Sequence, residues 1–298
     1  MFLKNKVWMM LAVVMVLSLL AIGGCGEDVE EQTEAEEPVE TDNGDGDGDG
    51  DENGEETLSG SIVTAGSTSV QPVSELLAEG FMSQHPEVSV DVQGGGSTAG
   101  VVAAEDGTAD IGGVSRELAD DEQHLNDIVI GIDGIAVVVH PDNPVEELEL
   151  EEVRQIFTKE ITNWSEVGGP DIEINAVTRE EGSGTRGAFE SMVMGDEEIS
   201  QEVVVQDSTG ACRTTVEGDE NAISYISLAA MVDDVKALAV DGAEPTVENI
   251  VAGDYEIARP FNYVVDGEPE GLVKEFIDFV LSEEGQEIVE EAGLISAQ

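Results

Sequence analysis

The sequence contains very few basic residues: 11 Lys and Arg stand against 67 Asp and Glu, which gives a formal net charge of −56. A field of this sign repels nucleic acid and anionic membrane surfaces, so no nucleic acid is expected among the partners. Such acidity, with so few lysines, is typical of proteins kept soluble in high salt, where self-repulsion is screened over a few ångströms. We therefore expect a halophilic protein that unfolds at low ionic strength.

Cysteine and histidine are also scarce, with two and three residues respectively. If Cys25 carries lipid, as argued below, Cys212 is the single cysteine left and no internal disulfide can form. The histidines have no metal-ligand spacing, and a nucleophilic role for Cys212 would need a paired base that the neighbouring sequence does not offer. We expect neither a metal nor another cofactor.

Residues 1–24 have the pattern of a secretory signal peptide, because Lys4 and Lys6 precede a long apolar run that stops at Cys25. The run is also long enough for a retained membrane helix. The small residues directly before Cys25 favour a bacterial lipoprotein signal instead, in which cleavage frees Cys25 to carry lipid. We therefore expect an extracytoplasmic protein that is anchored to the outer face of the cell membrane through this N-terminal lipid.

Residues 25–57 form an acidic and glycine-rich segment with almost no large apolar side chain. Such a segment cannot bury enough surface to offset the entropy lost on ordering, so we predict a disordered tether. Its DGDGDGD repeat resembles the alternating acids of a calcium-binding loop. The helix pair that flanks such a loop is missing, which argues against a specific calcium site.

From Leu58 onward the composition is that of a globular domain, long enough for a sizeable core and for two lobes. Strand-like runs alternate with helical segments, which predicts an α/β architecture of mixed sheets flanked by helices. The strand-like runs are GSIVTAG, VSVDVQG, ADIGGV, GIAVVVH, EINAVTR, AISYIS, ALAV and RPFNYVV. The predicted helices are 72–84, 98–106, 119–125, 150–157, 185–194, 198–204, 213–217, 227–232 and 270–292.

Three predicted strand-to-helix turns combine glycine with serine or threonine: GSTS at 66–69, GGGST at 94–98 and GSGT at 182–185. Backbone N–H groups at a helix start lack intrahelical acceptors and carry partial positive charge, so an anion can bind there. Arg179 and Arg186 add guanidinium groups beside the third turn. Each turn alone could be an ordinary capped helix. Together they predict one oxyanion site assembled from several helix starts.

The ordered set GSTSVQPV, GGGSTAG, ADIGGVSREL, FTKEITNWSEVGG, REEGSGTRGAFE and SEEGQEIVEEAG resembles the phosphate-binding proteins (PstS) of bacterial ABC uptake systems. The resemblance extends from Leu58 to the C terminus. It implies a two-lobed periplasmic-binding-protein fold of type II with the ligand in the cleft. Lobe 1 would comprise residues 58–136 and 227–298 and lobe 2 residues 137–226, with chain crossings near 134–138 and 224–228.

The resemblance also implies the residues that bind phosphate. They are Thr68, Ser69, Ser97, Ser115 and Arg116 from lobe 1, and Arg179, Ser183, Gly184 and Thr185 from lobe 2. Arg116 stands where better-known members have an acid that accepts the proton of hydrogen phosphate. Another acceptor must then replace that acid, and Glu117, Glu180 or a hydroxyl oxygen are the candidates.

The function implied by the resemblance is that of a monomeric, lipid-anchored receptor. Its lobes would close on inorganic phosphate, and the closed form would deliver the ion to ABC permease subunits. An alternative is the same scaffold with another oxyanion, namely sulfate, molybdate or phosphonate. A phosphatase belongs to a third class, and it would need a metal cluster or an activated nucleophile that the sequence does not contain.

Overall fold

The computed structural model describes residues 57–298. The predicted signal peptide, the lipid at Cys25 and the predicted tether up to Glu56 lie outside the described residues. The strands are β1 (Gly60–Gly66), β2 (Val88–Gly94), β3 (Ile111–Val114), β4 (Asn126–Val139), β5 (Glu147–Leu148), β6 (Asn175–Arg179), β7 (Val204–Gln206), β8 (Ala222–Ser227), β9 (Lys236–Ala237), β10 (Ala239–Val240), β11 (Ala258–Val265) and β12 (Ile295–Ser296).

The helices alternate with the strands. They are α1 (Gln71–Gln84), α2 (Ser97–Glu105), α3 (Leu150–Thr158), α4 (Gly184–Phe189), α5 (Thr209–Glu217), α6 (Val247–Ala252), α7 (Gly271–Val280) and α8 (Glu283–Glu291). A π-helical turn at Glu190–Met194 continues α4, and short 3-10 turns lie at Trp164–Val167 and Leu228–Ala230. None of the helices within residues 57–298 combines the length and apolar character needed to cross a membrane.

The long strand β4 joins two half-sheets. Up to Gly134 it pairs with β11, and from Ile135 onward it pairs with β8. The first half-sheet has the order β2-β1-β3-β11-β4, and the second has the order β7-β6-β8-β4-β9. In each of them three neighbouring strands run parallel and the fourth runs antiparallel to both of its neighbours. The predicted α/β class with mixed sheets is thereby confirmed.

Each half-sheet has its own main hydrophobic core. Phe81, Tyr263 and Phe276 belong to the core of the first, where α7 buries the apolar stripe that its sequence predicts. In the core of the second half-sheet, Phe189 and Tyr225 stack with ring centroids 3.8 Å apart.

The core of the second half-sheet also includes side chains from beyond residue 226. These are Leu238, Val240, Tyr255 and Ile257. Because β9 pairs with β4 in the same half-sheet, we propose that lobe 2 comprises 236–257 in addition to the predicted 137–226.

Two of the predicted helices are wrong. Residues 119–125 form successive turns, in which Glu122 N donates to Ala119 O and Leu125 N to Glu122 O. The predicted helix 198–204 lies where turns lead into β7. Its buried Ile199 and Val203 have helical spacing, but pairing of the next residues with β6 prevails over that local pattern.

One other predicted helix is shorter than expected, since 227–232 reduces to the 3-10 turn. The predicted helix 270–292 divides into α7 and α8 at the break that the stretch from Ser282 to Gly285 predicts. The division falls at Ser282, whose hydroxyl accepts from Gly285 N and caps α8.

Candidate functional site

The candidate site lies where the two half-sheets present the carboxyl ends of their parallel strands. In the first half-sheet, residues 67–69 follow β1, Ser97 follows β2 and Ser115 follows β3. In the second, residues 183–185 follow β6 and Thr209 follows β7. Because the carboxyl ends of parallel strands lie at one edge of a sheet, these polar residues converge.

Hydroxyl groups from the two half-sheets contact each other directly. Ser69 Oγ lies 2.7 Å from Thr185 Oγ1 and 2.8 Å from Thr209 Oγ1, and all three side chains are buried. A backbone hydrogen bond of 3.1 Å from Thr98 N to Gly182 O adds a second link. The two half-sheets are therefore closed against each other at this cluster of hydroxyl groups.

Arg179 brings a positive charge into the cluster. Its side chain is only 2% exposed. Nη1 donates to Thr209 Oγ1 and Nη2 to Thr68 Oγ1, both at 3.2 Å. The adjacent edge of the guanidinium, formed by Nε and Nη2, makes two hydrogen bonds of 2.9 Å with the Glu180 carboxylate. One edge of a fixed cation thus faces the hydroxyl cluster, and a carboxylate fixes its orientation.

A second group of hydroxyls packs beneath the start of α4. Ser67 Oγ donates to Ser115 Oγ at 2.8 Å, and Ser115 N donates to Ser97 Oγ at 3.1 Å. A Cβ atom on Gly184 would lie 2.2 Å from Ser97 Oγ and 2.6 Å from Ser115 Oγ. Only glycine at position 184 therefore allows the helix start and the two serines to approach this closely.

Ser183 caps the same helix. Its hydroxyl accepts a hydrogen bond of 3.3 Å from Arg186 N, and its side chain is buried. The N–H groups of Gly184 and Thr185 occupy the first turn and have no intrahelical acceptor. They add donors and a partial positive charge on the side where the hydroxyls converge.

Of the nine predicted binding residues, the structure brings eight together and leaves Arg116 apart. The Arg116 guanidinium forms two hydrogen bonds with the Glu122 carboxylate, at 2.6 and 2.7 Å. This pairing raises the pKa of Arg116 and lowers the pKa of Glu122. The Arg116 guanidinium also donates to Glu117 O, whereas the Ser115 hydroxyl points into the cluster. Arg116 instead lines a separate cavity of about 260 Å³.

The three suggested proton acceptors are also separated by the structure. Glu117 is exposed and lines the cavity beside Arg116. Glu180 lies next to the hydroxyl cluster through its contact with Arg179. Hydroxyl oxygens are abundant in the cluster itself, so Glu180 and the hydroxyls remain as acceptors at this place.

The sequence-based prediction missed Thr209, which contacts Thr68, Ser69 and Arg179. A pattern for it exists, because the segment DSTGA after β7 repeats the strand, Ser/Thr and helix order of the other three turns. Because a helix was predicted over 198–204, strand β7, which precedes DSTGA, was not recognised in the sequence. Ser67 lies in the predicted turn 66–69 but outside the predicted set of ligands, and its hydroxyl donates to Ser115 Oγ.

Neither metal coordination nor thiol chemistry is indicated in the described part of the chain. No group of three His, Cys, Asp or Glu side chains within residues 57–298 is arranged to hold a metal ion. Burial raises the pKa of the Cys212 thiol to about 11, so the thiol stays protonated at neutral pH.

Comparison with known proteins gives consistent matches over the described residues. A PBP superfamily domain model matches residues 51–284. The phosphate-binding protein PstS of Bacillus subtilis (strain 168) is 32% identical over 299 residues, which cover 98% of this chain and 94% of that protein.

Two solved structures are similar over the same region. A candidate phosphate ABC transporter substrate-binding protein with bound phosphate, from Clostridium perfringens, is 42% identical, with a TM-score of 0.77 and coverage of 80% of this chain and 100% of that chain. An ABC-type phosphate transport receptor from Vibrio cholerae is 38% identical, with a TM-score of 0.66 and the same two coverages of 80% and 100%.

Proposed function

Because the chain belongs to the phosphate-binding protein PstS family within the PBP superfamily, we propose that it captures inorganic phosphate between its two half-sheets. It would serve as the substrate-binding protein of an ABC transporter. Its relatives are phosphate-binding transport proteins and not enzymes. The fold is the two-lobed type II periplasmic-binding-protein fold that the resemblance implied.

The observation that carries this proposal is the buried Arg179 facing hydroxyls from both half-sheets. A tetrahedral oxyanion has several acceptor oxygens that point in different directions. Hydroxyl and backbone donors that converge from several strand ends match that geometry, and a guanidinium supplies the compensating charge. An apolar or cationic ligand would find no comparable set of partners here.

The proposed phosphate-binding set differs from the predicted one in two residues. Thr209 is added because it contacts both Arg179 and Ser69, and Arg116 is left out because its guanidinium binds Glu122. The set is Thr68, Ser69, Ser97, Ser115, Arg179, Ser183, Gly184, Thr185 and Thr209.

Binding is proposed to be coupled to closure of the lobes. The hydroxyls of Ser69 and Thr185 belong to different half-sheets, so both can donate to one ion only when the half-sheets are close together. An ion that makes contacts in the closed form alone shifts the population toward it. The closed, monomeric receptor would then dock on the permease subunits.

The location of the receptor is proposed from the sequence. Lipid on Cys25 would hold the protein at the outer face of the cell membrane, and residues 26–57 would act as the spacer. This predicts that labelled fatty acid is incorporated into the wild-type protein and not into Cys25→Ala. Equal labelling of both proteins, or of neither, would contradict lipid attachment at Cys25.

A second oxyanion is the alternative ligand, because most groups at the site are donors. Hydrogen phosphate carries a proton that needs an acceptor, whereas sulfate does not. Leaving that proton unpaired would cost about 1 to 3 kcal/mol. Glu180 and the hydroxyl oxygens are the acceptors available to avoid this cost.

Calorimetric titration of the purified protein in molar chloride salt tests the proposal. We expect tight binding of phosphate that excess sulfate does not weaken. Equal competition by sulfate would indicate a general oxyanion receptor. A folded sample that gives no heat with either ion would overturn the receptor function.

A further inference from the structure

A buried ion pair, Asp133 and Arg259, lies where the chain passes between the half-sheets. Asp133 on β4 and Arg259 on β11 are direct cross-strand neighbours. Two residues after Asp133, at Ile135, β4 has already changed its partner to β8. Both charged residues therefore lie on the strands that must bend or rotate when the half-sheets open and close.

Polar partners surround the carboxylate of the pair, and the guanidinium also lies over the Phe261 ring, 5.2 Å from its centroid. Asp133 Oδ1 accepts from Ser227 Oγ at 2.9 Å and from Ala229 N at 3.2 Å. Oδ2 accepts from Arg259 Nε at 3.3 Å and from Nη2 at 3.0 Å. The Asp133 and Arg259 side chains are 0% and 2% exposed. Burying both charges costs free energy that their mutual attraction offsets only in part, so a purely stabilising role is a weak explanation for the pair.

The remaining donor of Arg259 leads directly to the candidate site. Arg259 Nη1 donates a hydrogen bond of 2.9 Å to Ser115 O. The side chain of Ser115 lies in the cluster, where its Oγ contacts Ser67 Oγ and Ser97 Oγ. An unbroken series of hydrogen bonds thus links Ser227 at the end of β8, through Asp133 and Arg259, to Ser115.

We propose that Asp133 and Arg259 are positioning residues, which fix the Ser115 backbone relative to the crossing strands so that the hydroxyls of the first half-sheet meet Arg179 when the cleft closes. The inference rests on the proposed function, since it assigns these residues to binding of the same oxyanion. They are not ligands of the ion, because the contacts of their side chains are with Ser227, Ala229 and Ser115. Their effect on affinity is transmitted through Ser115.

The test separates affinity from stability in the full chain. Asp133→Asn and Arg259→Met each leave the other charge buried and unpaired, and we expect phosphate affinity to fall about 10- to 100-fold, together with a lower thermal unfolding midpoint. In the double variant D133L/R259M an apolar pair replaces the ion pair, and we expect the unfolding midpoint to recover relative to the single variants. Phosphate affinity should stay low, because Ser115 O has still lost its donor.

A neighbouring ion pair gives the matched control. Glu122→Gln breaks the Arg116–Glu122 pair, which lies close to Ser115 in sequence but outside the series of hydrogen bonds to the cluster. We expect its phosphate affinity to remain within about twofold of wild type, because the Arg116 side chain donates to Glu122 and Glu117 O and not to the cluster. If a variant of Asp133 fails to fold, Arg259→Lys serves instead. Lysine keeps the charge next to Asp133 but lacks the fork that also reaches Ser115, so affinity should still fall.

A double-mutant cycle with Ser115 decides between positioning and general stabilisation. If Arg259 acts through Ser115, Ser115→Ala should lower phosphate affinity about 3- to 10-fold in the wild type and less than about twofold in D133L/R259M. Additive losses, or a return of D133L/R259M to wild-type affinity, would overturn the positioning role while leaving the receptor function intact. Absence of oxyanion binding by the folded wild type would instead overturn both proposals.

Discussion

The two half-sheets have the same strand order, but their carboxyl edges carry different chemistry. The first contributes hydroxyl groups, from Ser69, Ser97 and Ser115, and its two guanidinium groups there are each paired with a carboxylate, Arg116 with Glu122 and Arg259 with Asp133. The second contributes hydroxyl groups and the buried cation of Arg179. We therefore propose that the second half compensates the charge of the ion, whereas the hydroxyl groups of the first half would complete the coordination when the cleft closes.

A second difference concerns the residue at the end of the third parallel strand. In the first half-sheet Ser115 follows β3 and points into the cluster, and in the second half-sheet Ser227 ends β8 and donates to Asp133. Equivalent positions thus contact the hydroxyl cluster in one half and the crossing strands in the other. The two half-sheets share a topology, but the residues at their strand ends make different contacts because the neighbouring side chains differ.

The first prediction removes the charge difference between the halves. Arg179→Met should lower phosphate affinity by about 2 to 3 kcal/mol, or roughly 30- to 150-fold, because charge-assisted hydrogen bonds are lost and Glu180 is left without its partner. Isothermal titration calorimetry in molar salt measures the effect. Arg154→Met is the control, since Arg154 pairs with Glu151 on the partly exposed surface of α3 and should not alter affinity. Affinity unchanged in both variants would refute the assignment of charge compensation to the second half-sheet.

The second prediction holds the halves apart without changing their charges. Gly184→Ala places a methyl group 2.2 Å from Ser97 Oγ in the closed form. Overpacking of this kind should weaken phosphate binding by about 1 to 3 kcal/mol. Because separation of the half-sheets would remove this contact, the thermal stability of the phosphate-free protein should change less than that of the phosphate-bound protein.

The matched control for this variant is Gly210→Ala. Gly210 also lies in the first turn of a helix, but an added Cβ there would have no neighbour within 4 Å. It should leave phosphate affinity unchanged. Equal losses in the two alanine variants would mean that the contact between Gly184 and the serines does not limit closure.

The third prediction concerns a hydroxyl group that only the structure identifies. Thr209→Val keeps the shape of the side chain and removes its contacts with Ser69 and Arg179, which should weaken phosphate binding by about 1 to 1.5 kcal/mol. Thr215→Val on the same helix is the control, because the Thr215 hydroxyl bonds to Ala211 O and Gln206 Nε2 and faces away from the cluster. If Thr215→Val weakened phosphate binding as much as Thr209→Val, the effect would come from a change in helix α5 as a whole.

The turns that form most of the site could be predicted from the sequence, because glycine with serine or threonine at a strand-to-helix junction is a local pattern. Residues 66–69 and 182–185 are examples. The direction of a side chain could not be predicted in the same way. Arg116 is adjacent to Ser115 in sequence, yet the Ser115 hydroxyl lies in the cluster while the Arg116 guanidinium binds Glu122, six residues further along the chain.

Contacts between distant segments are beyond the reach of local patterns. Asp133 and Arg259 are 126 residues apart in the chain and meet only because β11 returns beside β4. Similarly, Thr209 meets Ser69 through a contact that spans 140 residues. Strand order decides such pairs, and the alternation of strands and helices in this sequence predicts the class of sheet but not its order.

The smallest expected effect tests whether Arg116 supplies positive charge to the bound ion. Arg116→Met removes the one cation that the resemblance placed among the ligands of that half. Because its guanidinium is held by Glu122, we expect phosphate affinity to change by less than about twofold, with a stability loss of at most about 1 kcal/mol, as for other partly exposed ion pairs.

Calorimetry of Arg116→Met beside Arg179→Met, at the same salt concentration, makes the comparison quantitative. Should Arg116→Met weaken binding as strongly as Arg179→Met, both halves would contribute a cation, and Arg116 would have to leave Glu122 when the ion binds. A small effect of Arg116→Met beside a large one of Arg179→Met would instead mean that closure brings neutral donors onto an ion whose charge the second half-sheet already compensates. Binding of that kind depends on the fit of the hydroxyl groups more than on electrostatic attraction, which suits a protein whose overall charge repels its anionic ligand.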